Sequence, residues 1–249
     1  MAATTIPSGG HPDDGPEGRR DGPQEHAVVA RAETERGEVV LRERRGAGRA
    51  PGEGALELRV NGVFVMDTHE TTTEQELARV ALAQVEHPRA VVVAGLGLGF
   101  TAREVLADSR VERVAVVEVE ECLVGWMRDG TVPHGPAFLA DDRLALVVAD
   151  IRQAVAEAAA ASYDLVLLDV DNGPEALVLE GNAEIYTASF LRDVARLLRP
   201  GGALAVWSAT ESPTLAGELE AVFRGVTALP FEIALQGRPE QYWLYLAHR

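Results

Sequence analysis

Residues 90–107 read AVVVAGLGLGFTAREVLA, a short apolar run followed by three alternating glycines and a helix-forming segment. An apolar run bounded by glycines is typical of a strand that is buried on both faces of a parallel sheet. Glycines after such a strand let the backbone turn tightly and approach a ligand, and the next helix offers free amide groups. The stretch favours a nucleotide-binding α/β fold, although glycines there also serve plain tight packing.

The same alternation of apolar strands and helical stretches continues to the end of the chain. We predict five parallel strands and a closing strand pair, at Ala90–Ala94, Val114–Glu118, Leu144–Ala149, Asp164–Asp169, Ala203–Ser208, Val226–Ala234 and Gln241–Ala247. The predicted fold class is therefore α/β, with a doubly wound, mostly parallel, seven-stranded Rossmann-like sheet.

Two different segments precede the first parallel strand. Residues 1–27 are rich in Gly, Pro, Asp and His and have few apolar side chains to offset the entropy cost of ordering, so we predict a disordered tail. Glu38–Arg45 and Ala55–Asp67 read as extended, and Asn61-Gly62 interrupts the second as the turn of a β-hairpin would.

These patterns divide the chain into three parts. We predict the tail at residues 1–27, an N-terminal β-hairpin module at 28–70 and a nucleotide-binding catalytic domain at 71–249. The last part begins with Thr71-Thr72-Thr73-Glu74, which matches the Thr-x-x-Glu capping box of a helix start. We therefore expect the Glu74 side chain to cap a helix that ends before Pro88.

The chain of 249 residues carries a formal net charge of −16. Nucleic-acid binding needs a basic face that displaces counterions, so the charge argues against a nucleic-acid partner and favours cationic or neutral small molecules. The apolar runs are too short to cross a bilayer, and the N-terminus lacks the apolar core of a secretory signal. We expect no membrane association and a cytoplasmic location.

Cysteine and histidine usage bears on metal sites and disulfides. Cys122 is the single cysteine, which excludes an internal disulfide and any multi-cysteine metal site. No pair among the six histidines has the helical spacing of a zinc site such as HExxH. We therefore expect no metal.

Acidic residues end the two strands that follow the glycine loop. Glu118 lies 19 residues after Gly99, where a carboxylate can accept hydrogen bonds from both ribose hydroxyls; Glu120 and Glu121 are competing assignments. Asp150 follows the next strand, where it can accept from an adenine amino group while Ile151 covers the ring. The candidate nucleoside-binding residues are Gly95, Leu96, Gly97, Gly99, Glu118, Val119, Asp150 and Ile151.

A dinucleotide site is the minor alternative for this loop. The dinucleotide fingerprint requires a third glycine one position after Gly99, and that position here is Phe100. The loop therefore favours an adenosine-sized ligand over NAD.

Asp169 is the candidate catalytic residue. It follows four apolar strand residues, and an ionised carboxylate is costly to bury unless a loop or a chemical role stabilises it. Gly173-Pro174 forces a turn that Asp169 or Asp171 could simply cap. We favour a catalytic or substrate-orienting role, because the strand before Asp169 is expected next to the glycine loop.

The motifs GLGLGFTAREVL, VVEVEE, ADI, YDLVLLDVDNGP and IYTASFLRDVARLLRPGG resemble, in order and spacing, the spermidine synthase-like branch of the class I S-adenosylmethionine-dependent methyltransferases. The resemblance extends from about Gly37 to the C-terminus. It implies a methyltransferase-type sheet, a polyamine aminopropyltransferase-like activity and S-adenosylmethionine or its decarboxylated form as co-substrate. It also implies a homodimer through the N-terminal β module.

The resemblance also implies roles for single residues. The glycine loop would hold the methylthioadenosine part of the donor, with Glu118 at the ribose and Asp150 at the adenine. Asp169 would help to deprotonate the attacking amine, since only a neutral amine has a lone pair for attack. Asp171, Asn172 and Tyr186 would border the acceptor, although a tyrosine placed like Tyr186 is more often a packing residue at a helix start.

Two departures from the family pattern leave the substrates open. The family has an acid that grips the aminopropyl amine at the position of Leu98, and a tyrosine in the segment that reads HETTTEQE here. The leading hypothesis is alkyl transfer of the aminopropyl type to a small amine. The alternatives are a small-molecule methyltransferase and a non-catalytic adenosyl-binding domain.

Overall fold

The computed structural model describes residues 24–46 and 48–249, and their strands form two sheets. The first is a four-stranded antiparallel sheet with its strands in chain order. Its strands are β1 (Glu25–Thr34), β2 (Gly37–Arg45), β3 (Ala55–Val60) and β4 (Val63–Asp67).

The second sheet contains seven strands within the described residues. They are β5 (Ala90–Ala94), β6 (Arg113–Glu118), β7 (Leu144–Val148), β8 (Tyr163–Leu168), β9 (Leu198–Ser208), β10 (Arg224–Leu235) and β11 (Arg238–His248). Their order is β10-β11-β9-β8-β5-β6-β7, and only β11 runs antiparallel to its neighbours. The prediction of a mostly parallel seven-stranded α/β sheet is confirmed.

Helices cover both faces of this sheet. They are α1 (Thr72–Ala83), α2 (Phe100–Ala107), α3 (Glu121–Arg128), α4 (Gly135–Leu139), α5 (Ile151–Glu157), α6 (Ala188–Leu197) and α7 (Pro213–Glu220), with a 3₁₀ helix at Glu180–Tyr186. Helices α1 to α4 share one hydrophobic core with β2 to β4, and α5 to α7 form the other. No helix in the described ranges is long and apolar enough to span a membrane.

Alternation along the strands decides which side chains enter each core. Val91 and Val93 of β5 face the core under α1 to α4, while Val92 and Ala94 face the core under α5 to α7. Successive side chains of a strand point to opposite faces, so an unbroken apolar run is needed where helices cover both. The uninterrupted apolar run AVVVA therefore predicts a central strand.

The N-terminal sheet has one strand more than we predicted. Strand β1 starts inside the predicted tail, at Glu25, and the tail up to residue 23 lies outside the described residues. Its pattern was hard to recognise because β1 is an edge strand with exposed apolar residues, including Val28 at 60% and Val29 at 44% exposure. The division of the chain into domains stays a prediction.

The predicted hairpin at Asn61-Gly62 is confirmed. Both residues have positive φ, 52° and 77°, as the two-residue turn between β3 and β4 requires. The Asn61 side chain also accepts from Glu38 N–H at 3.0 Å and donates to the Arg36 carbonyl at 3.0 Å. It therefore fixes the turn between β1 and β2.

The predicted capping box was wrong. Helix α1 does begin after Thr71, but the Thr71 side chain accepts from Gln75 Nε2 at 2.7 Å and caps no backbone amide. Glu74 does not reach back to the helix start either; its side chain lines a cavity. The Glu74 side chain points into the cavity, so it is not available to cap the helix as the local sequence pattern predicts.

Asp164 joins the N-terminal ends of three neighbouring strands. Its Oδ2 accepts from Ala90 N–H at 2.8 Å, and both its oxygens accept from Arg199 Nη1 at 2.8 and 2.9 Å. Asp164 is only 8% exposed. Its loss would leave a buried amide and a cation without their acceptor.

We expect Asp164→Ala to lower the free energy of unfolding by about 2–3 kcal/mol, because charge-assisted hydrogen bonds at a buried carboxylate are lost. Urea denaturation followed by circular dichroism measures the change. Asp193→Ala is the matched control, since Asp193 is exposed on α6 and should change stability by less than about 0.5 kcal/mol. Equal effects in the two variants would contradict this account.

Candidate functional site

A cavity of about 350 Å³ lies where the carboxyl ends of the central strands meet the N-terminal sheet. This edge is where open α/β sheets bind ligands, and the volume suits a small molecule. The predicted site residues that line the cavity are Gly95, Leu96, Gly97, Glu118, Val119, Asp150, Ile151, Asp169, Asp171 and Asn172. Gly99 and Tyr186 are not among the lining residues.

Gly95 permits a close backbone approach at the centre of the site. It has φ of 91°, and a Cβ added to it would lie 1.9 Å from the Asp169 carbonyl oxygen. The Asp169 amide also donates to the Ala94 carbonyl at 2.9 Å. The glycine loop and the candidate catalytic acid are therefore held side by side by main-chain contacts.

Gly99 has a packing role and is not among the cavity-lining residues. It precedes α2 with φ of 86°, and a Cβ there would lie 3.1 Å from Met127 Cε. The glycine therefore lets the loop pass close to α3. The predicted contact of Gly99 with the nucleoside stays a prediction.

Glu118 lies at the end of β6, 7% exposed, and binds the glycine loop directly. Its Oε2 accepts from Leu96 N–H at 2.9 Å and its Oε1 from Glu120 N–H at 2.8 Å. Burial raises the pKa of Glu118, and these amide bonds oppose the increase. Each carboxylate oxygen can accept a second hydrogen bond, so the arrangement is compatible with the predicted ribose contact.

Asp150 caps the start of α5 and pairs with the arginine two residues later. It accepts from Arg152 N–H at 2.8 Å and from the guanidinium at 2.6 Å, and this pairing lowers its pKa. Arg152 also donates to Glu184 at 2.7 Å. The carboxylate is therefore ionised and fixed at the cavity wall, where the predicted adenine contact requires an acceptor.

Asp169 lines the cavity beside the glycine loop, and its Oδ2 accepts a hydrogen bond from Thr101 Oγ1 at 2.6 Å. Burial raises the pKa of Asp169 to about 6, and the Thr101 bond partly offsets the increase. A carboxylate whose pKa lies this close to neutrality can accept and release a proton during turnover.

Asp171 organises the loop that follows β8. Its carboxylate accepts from the backbone amides of Asn172, Val178 and Leu179 and from the side chain of Asn182, at 2.7 to 3.2 Å. All its lone pairs are thereby engaged within the loop. Asn172 also lines the cavity, whereas a direct acceptor contact of Asp171 stays a prediction.

Tyr186 is not among the cavity-lining residues, and its predicted contact with the acceptor stays a prediction. It is 5% exposed and belongs to the core under α5 to α7. Burial is the main reason that its pKa is raised. The 3₁₀ helix turns this side chain inward, which the position of Tyr186 in the sequence did not reveal.

Arg36 is a cavity-lining residue that sequence reasoning missed. It lies in the turn between β1 and β2, and its Nε donates to Glu120 Oε1 at 2.7 Å. Its Nη2 donates to the Val119 carbonyl at 2.9 Å. Because β1 was not predicted, no sequence signal placed Arg36 beside Val119 and Glu120 at the cavity.

Glu74 and Trp207 also line the cavity and were not assigned to it. Burial raises the pKa of Glu74 to about 8, and the nearby Asp169 charge contributes to the increase. Trp207 is 8% exposed, and its Nε1 has no hydrogen-bond partner among the described residues. Glu74 lies in HETTTEQE, the segment in which the resemblance leads us to expect a tyrosine that is absent here.

Comparison with known proteins supports the resemblance. A polyamine aminopropyltransferase 2 from Hyperthermus butylicus is 36% identical over 173 residues, which cover 68% of this chain and 53% of that protein. A putrescine N-methyltransferase 3 from Nicotiana tabacum is 30% identical over 152 residues, covering 60% of this chain and 36% of that protein. The chain thus spans about half the length, or less, of these curated relatives.

A solved structure of spermidine synthase from Thermotoga maritima has a TM-score of 0.72, with 18% identity over 89% of this chain and 72% of that one. This likeness shows a shared fold. The family model described as Spermine/spermidine synthase domain matches residues 70–221, more than half of the chain and nearly all of the cavity-forming loops described above. The chain therefore belongs to the spermine/spermidine synthase family.

Proposed function

We propose that this protein transfers an alkyl group of the aminopropyl type from decarboxylated S-adenosylmethionine, or from S-adenosylmethionine itself, to a small amine. The observation that carries the proposal is the position of Asp169, a half-buried carboxylate beside the glycine loop whose pKa is about 6. At neutral pH most of this group is ionised, so it can take a proton from an ammonium group.

The nucleoside part of the donor fits the other end of the cavity. Glu118 and Asp150 offer carboxylate oxygens there, and the open face of Gly95 leaves room where a side chain would intrude. These are the hydrogen-bond acceptors that ribose hydroxyls and an adenine amino group need. We infer that Val119 and Ile151, which also line the cavity, contact the adenosine.

The reaction follows from the charges of the two substrates. A free alkylamine has a pKa of about 10.4, so at neutral pH it arrives protonated and lacks a lone pair. Asp169 accepts one proton; the amine nitrogen then forms a bond to the carbon next to the donor sulfur, and the electron pair of the broken C–S bond stays on sulfur. Asp169 returns its proton to water. Orientation of the two substrates supplies much of the rate.

Methyl transfer on the same site is the second candidate. Leu98 occupies the position where the resembling family has an acid that grips the aminopropyl amine, and it is fully buried and outside the cavity lining. Methyl transfer requires no such grip. Putrescine N-methyltransferases among the relatives also favour this candidate.

The location and assembly of the protein are part of the proposal. We infer a cytoplasmic protein that acts on a small amine, with no nucleic-acid or membrane partner. A homodimer through the N-terminal sheet is proposed from the family resemblance. Size-exclusion chromatography with light scattering tests the dimer.

Product analysis distinguishes aminopropyl transfer from methyl transfer. We expect incubation with decarboxylated S-adenosylmethionine and a small amine to yield methylthioadenosine, detected by liquid chromatography with mass spectrometry. S-adenosylhomocysteine formed from S-adenosylmethionine would mark methyl transfer instead. If neither product forms with any amine although both donors bind, a non-catalytic adenosyl-binding domain is the better account.

The Asp169→Asn variant should reduce kcat by about 10²- to 10⁴-fold, because a general base contributes about that much. Donor binding by calorimetry should stay unchanged. In the wild type, kcat/KM should fall as the pH drops through about 6, since protonation removes the base. Full activity of this variant, or a wild-type profile that is flat between pH 5 and 7, would exclude Asp169 as the base.

The Thr101→Val variant keeps the side-chain volume and removes the hydrogen bond to Asp169. That bond lowers the pKa of Asp169, so its loss should move the acidic limb of the kcat/KM profile to higher pH. The rate at pH 6 should therefore fall more than the rate at pH 8. An unshifted limb would show that Thr101 does not tune Asp169.

A further inference from the structure

Glu74 is a cavity-lining carboxyl group that the mechanism above does not use. It lies in the first turn of α1, and Thr73 Oγ1, at 3.2 Å, is its one side-chain hydrogen-bond partner among the residues that the structure describes. Within the described ranges no arginine or histidine comes within 4.0 Å of its carboxylate, in contrast to the buried Glu57, which pairs with Arg42, Arg44 and Arg59. An acid without a cation in a recessed site is costly unless a ligand supplies the charge.

Glu74 and Asp169 behave as a pair of acids that face one cavity. The charge of Asp169 is, after burial, the largest cause of the raised pKa of Glu74. With values of about 8 and 6, Glu74 is mostly protonated and Asp169 mostly ionised at pH 7. Two nearby carboxyl groups retain a proton in this way because like charges repel, and a bound cation removes the repulsion.

Further acidic side chains lie near Glu74. Tyr242, whose pKa is raised to about 12 mainly by burial, also lies in the fields of Asp67, Glu70, Glu74 and Glu240. Asp67 is neutralised by Arg44 at 2.8 Å. Glu70 and Glu240 have no ion-pair partner among the described residues, so the surroundings of Glu74 carry an excess of negative charge.

Trp207 is a second, independent sign of a ligand at this end of the cavity. Its ring packs edge-on against Tyr242 with centroids 4.9 Å apart, and its buried Nε1–H has no acceptor within the described ranges. Buried indole N–H groups usually find a partner. The aromatic ring and Met66 also supply apolar wall, which suits the methylene chain of an alkyl amine.

We propose that Glu74 is a specificity residue that binds the second ammonium group of a diamine acceptor, whose reacting nitrogen lies at Asp169. The proposal rests on the proposed function. Glu74 thereby selects diamines over monoamines of equal length, because a monoamine leaves the Glu74 carboxyl group without a cation.

Calorimetry with methylthioadenosine present compares 1,4-diaminobutane with 1-aminobutane. We expect the wild type to prefer the diamine, and Glu74→Gln to weaken diamine binding by about 10- to 100-fold through loss of a charge-assisted hydrogen bond. Monoamine binding should change less than about 3-fold. In turnover assays the variant should raise KM for the diamine while kcat changes little.

Glu76→Gln is the matched control, since Glu76 lies on the same helix, pairs with Arg79 at 2.8 Å and does not line the cavity. It should leave both affinities unchanged. A Glu74→Gln variant that keeps the full preference for the diamine would overturn the role of Glu74 and leave the proposed function intact. A wild type that binds methylthioadenosine but neither amine, and transfers to neither, would overturn both proposals.

Proton release provides a test in the unaltered protein. A bound ammonium group lowers the pKa of Glu74, so diamine binding at pH 7 should release up to one proton, and the release should vanish well above pH 8. Asp169 is already mostly ionised at pH 7 and contributes little. Calorimetry in two buffers of different ionisation enthalpy measures the protons, and equal apparent enthalpies in the two buffers would contradict the proposal.

Discussion

The close backbone contact between Gly95 and Asp169 is the constraint on which the cavity depends. Strands β5 and β8 are neighbours in the sheet, and the chain after each must turn at the same edge. Any side chain at position 95 would collide with the Asp169 carbonyl. The absence of a Cβ therefore brings the loop that suits a nucleoside within reach of the acid that suits proton transfer, with no movement of either strand.

Desolvation determines the chemistry of the acids in this cavity. Asp150 is ionised because Arg152 pairs with it, whereas Asp169 and Glu74 pair with no cation in the described part of the chain and have raised pKa values. The same residue type thus serves two purposes, set by its neighbours. An acid that keeps its proton in the free protein at pH 7, as Glu74 does, loses that proton more readily when a cation binds beside it.

The N-terminal sheet forms one wall of the site. Asn61 fixes the turn that carries Arg36, Arg36 binds Glu120 and the Val119 carbonyl, and Met66 lies against the glycine loop. The sheet also shares a hydrophobic core with α1 to α4. It therefore closes the cavity through polar contacts at its rim and apolar contacts beneath, and a change in either alters the volume that a ligand can occupy.

The sequence alone determined where the strands of the central sheet lie along the chain and where the hairpin at Asn61-Gly62 turns. It also determined that Glu118, Asp150 and Asp169 lie at strand ends. These features follow from local patterns, namely apolar runs, turn residues and acids at strand ends. The tertiary structure alone decided that Glu74 lines the cavity instead of capping α1, that Arg36 lines it too, and that Gly99 and Tyr186 are not among the lining residues. Each of these outcomes depends on contacts between residues far apart in the chain. The free energy of packing among such residues can exceed that of one local hydrogen bond, so a local pattern does not predict them.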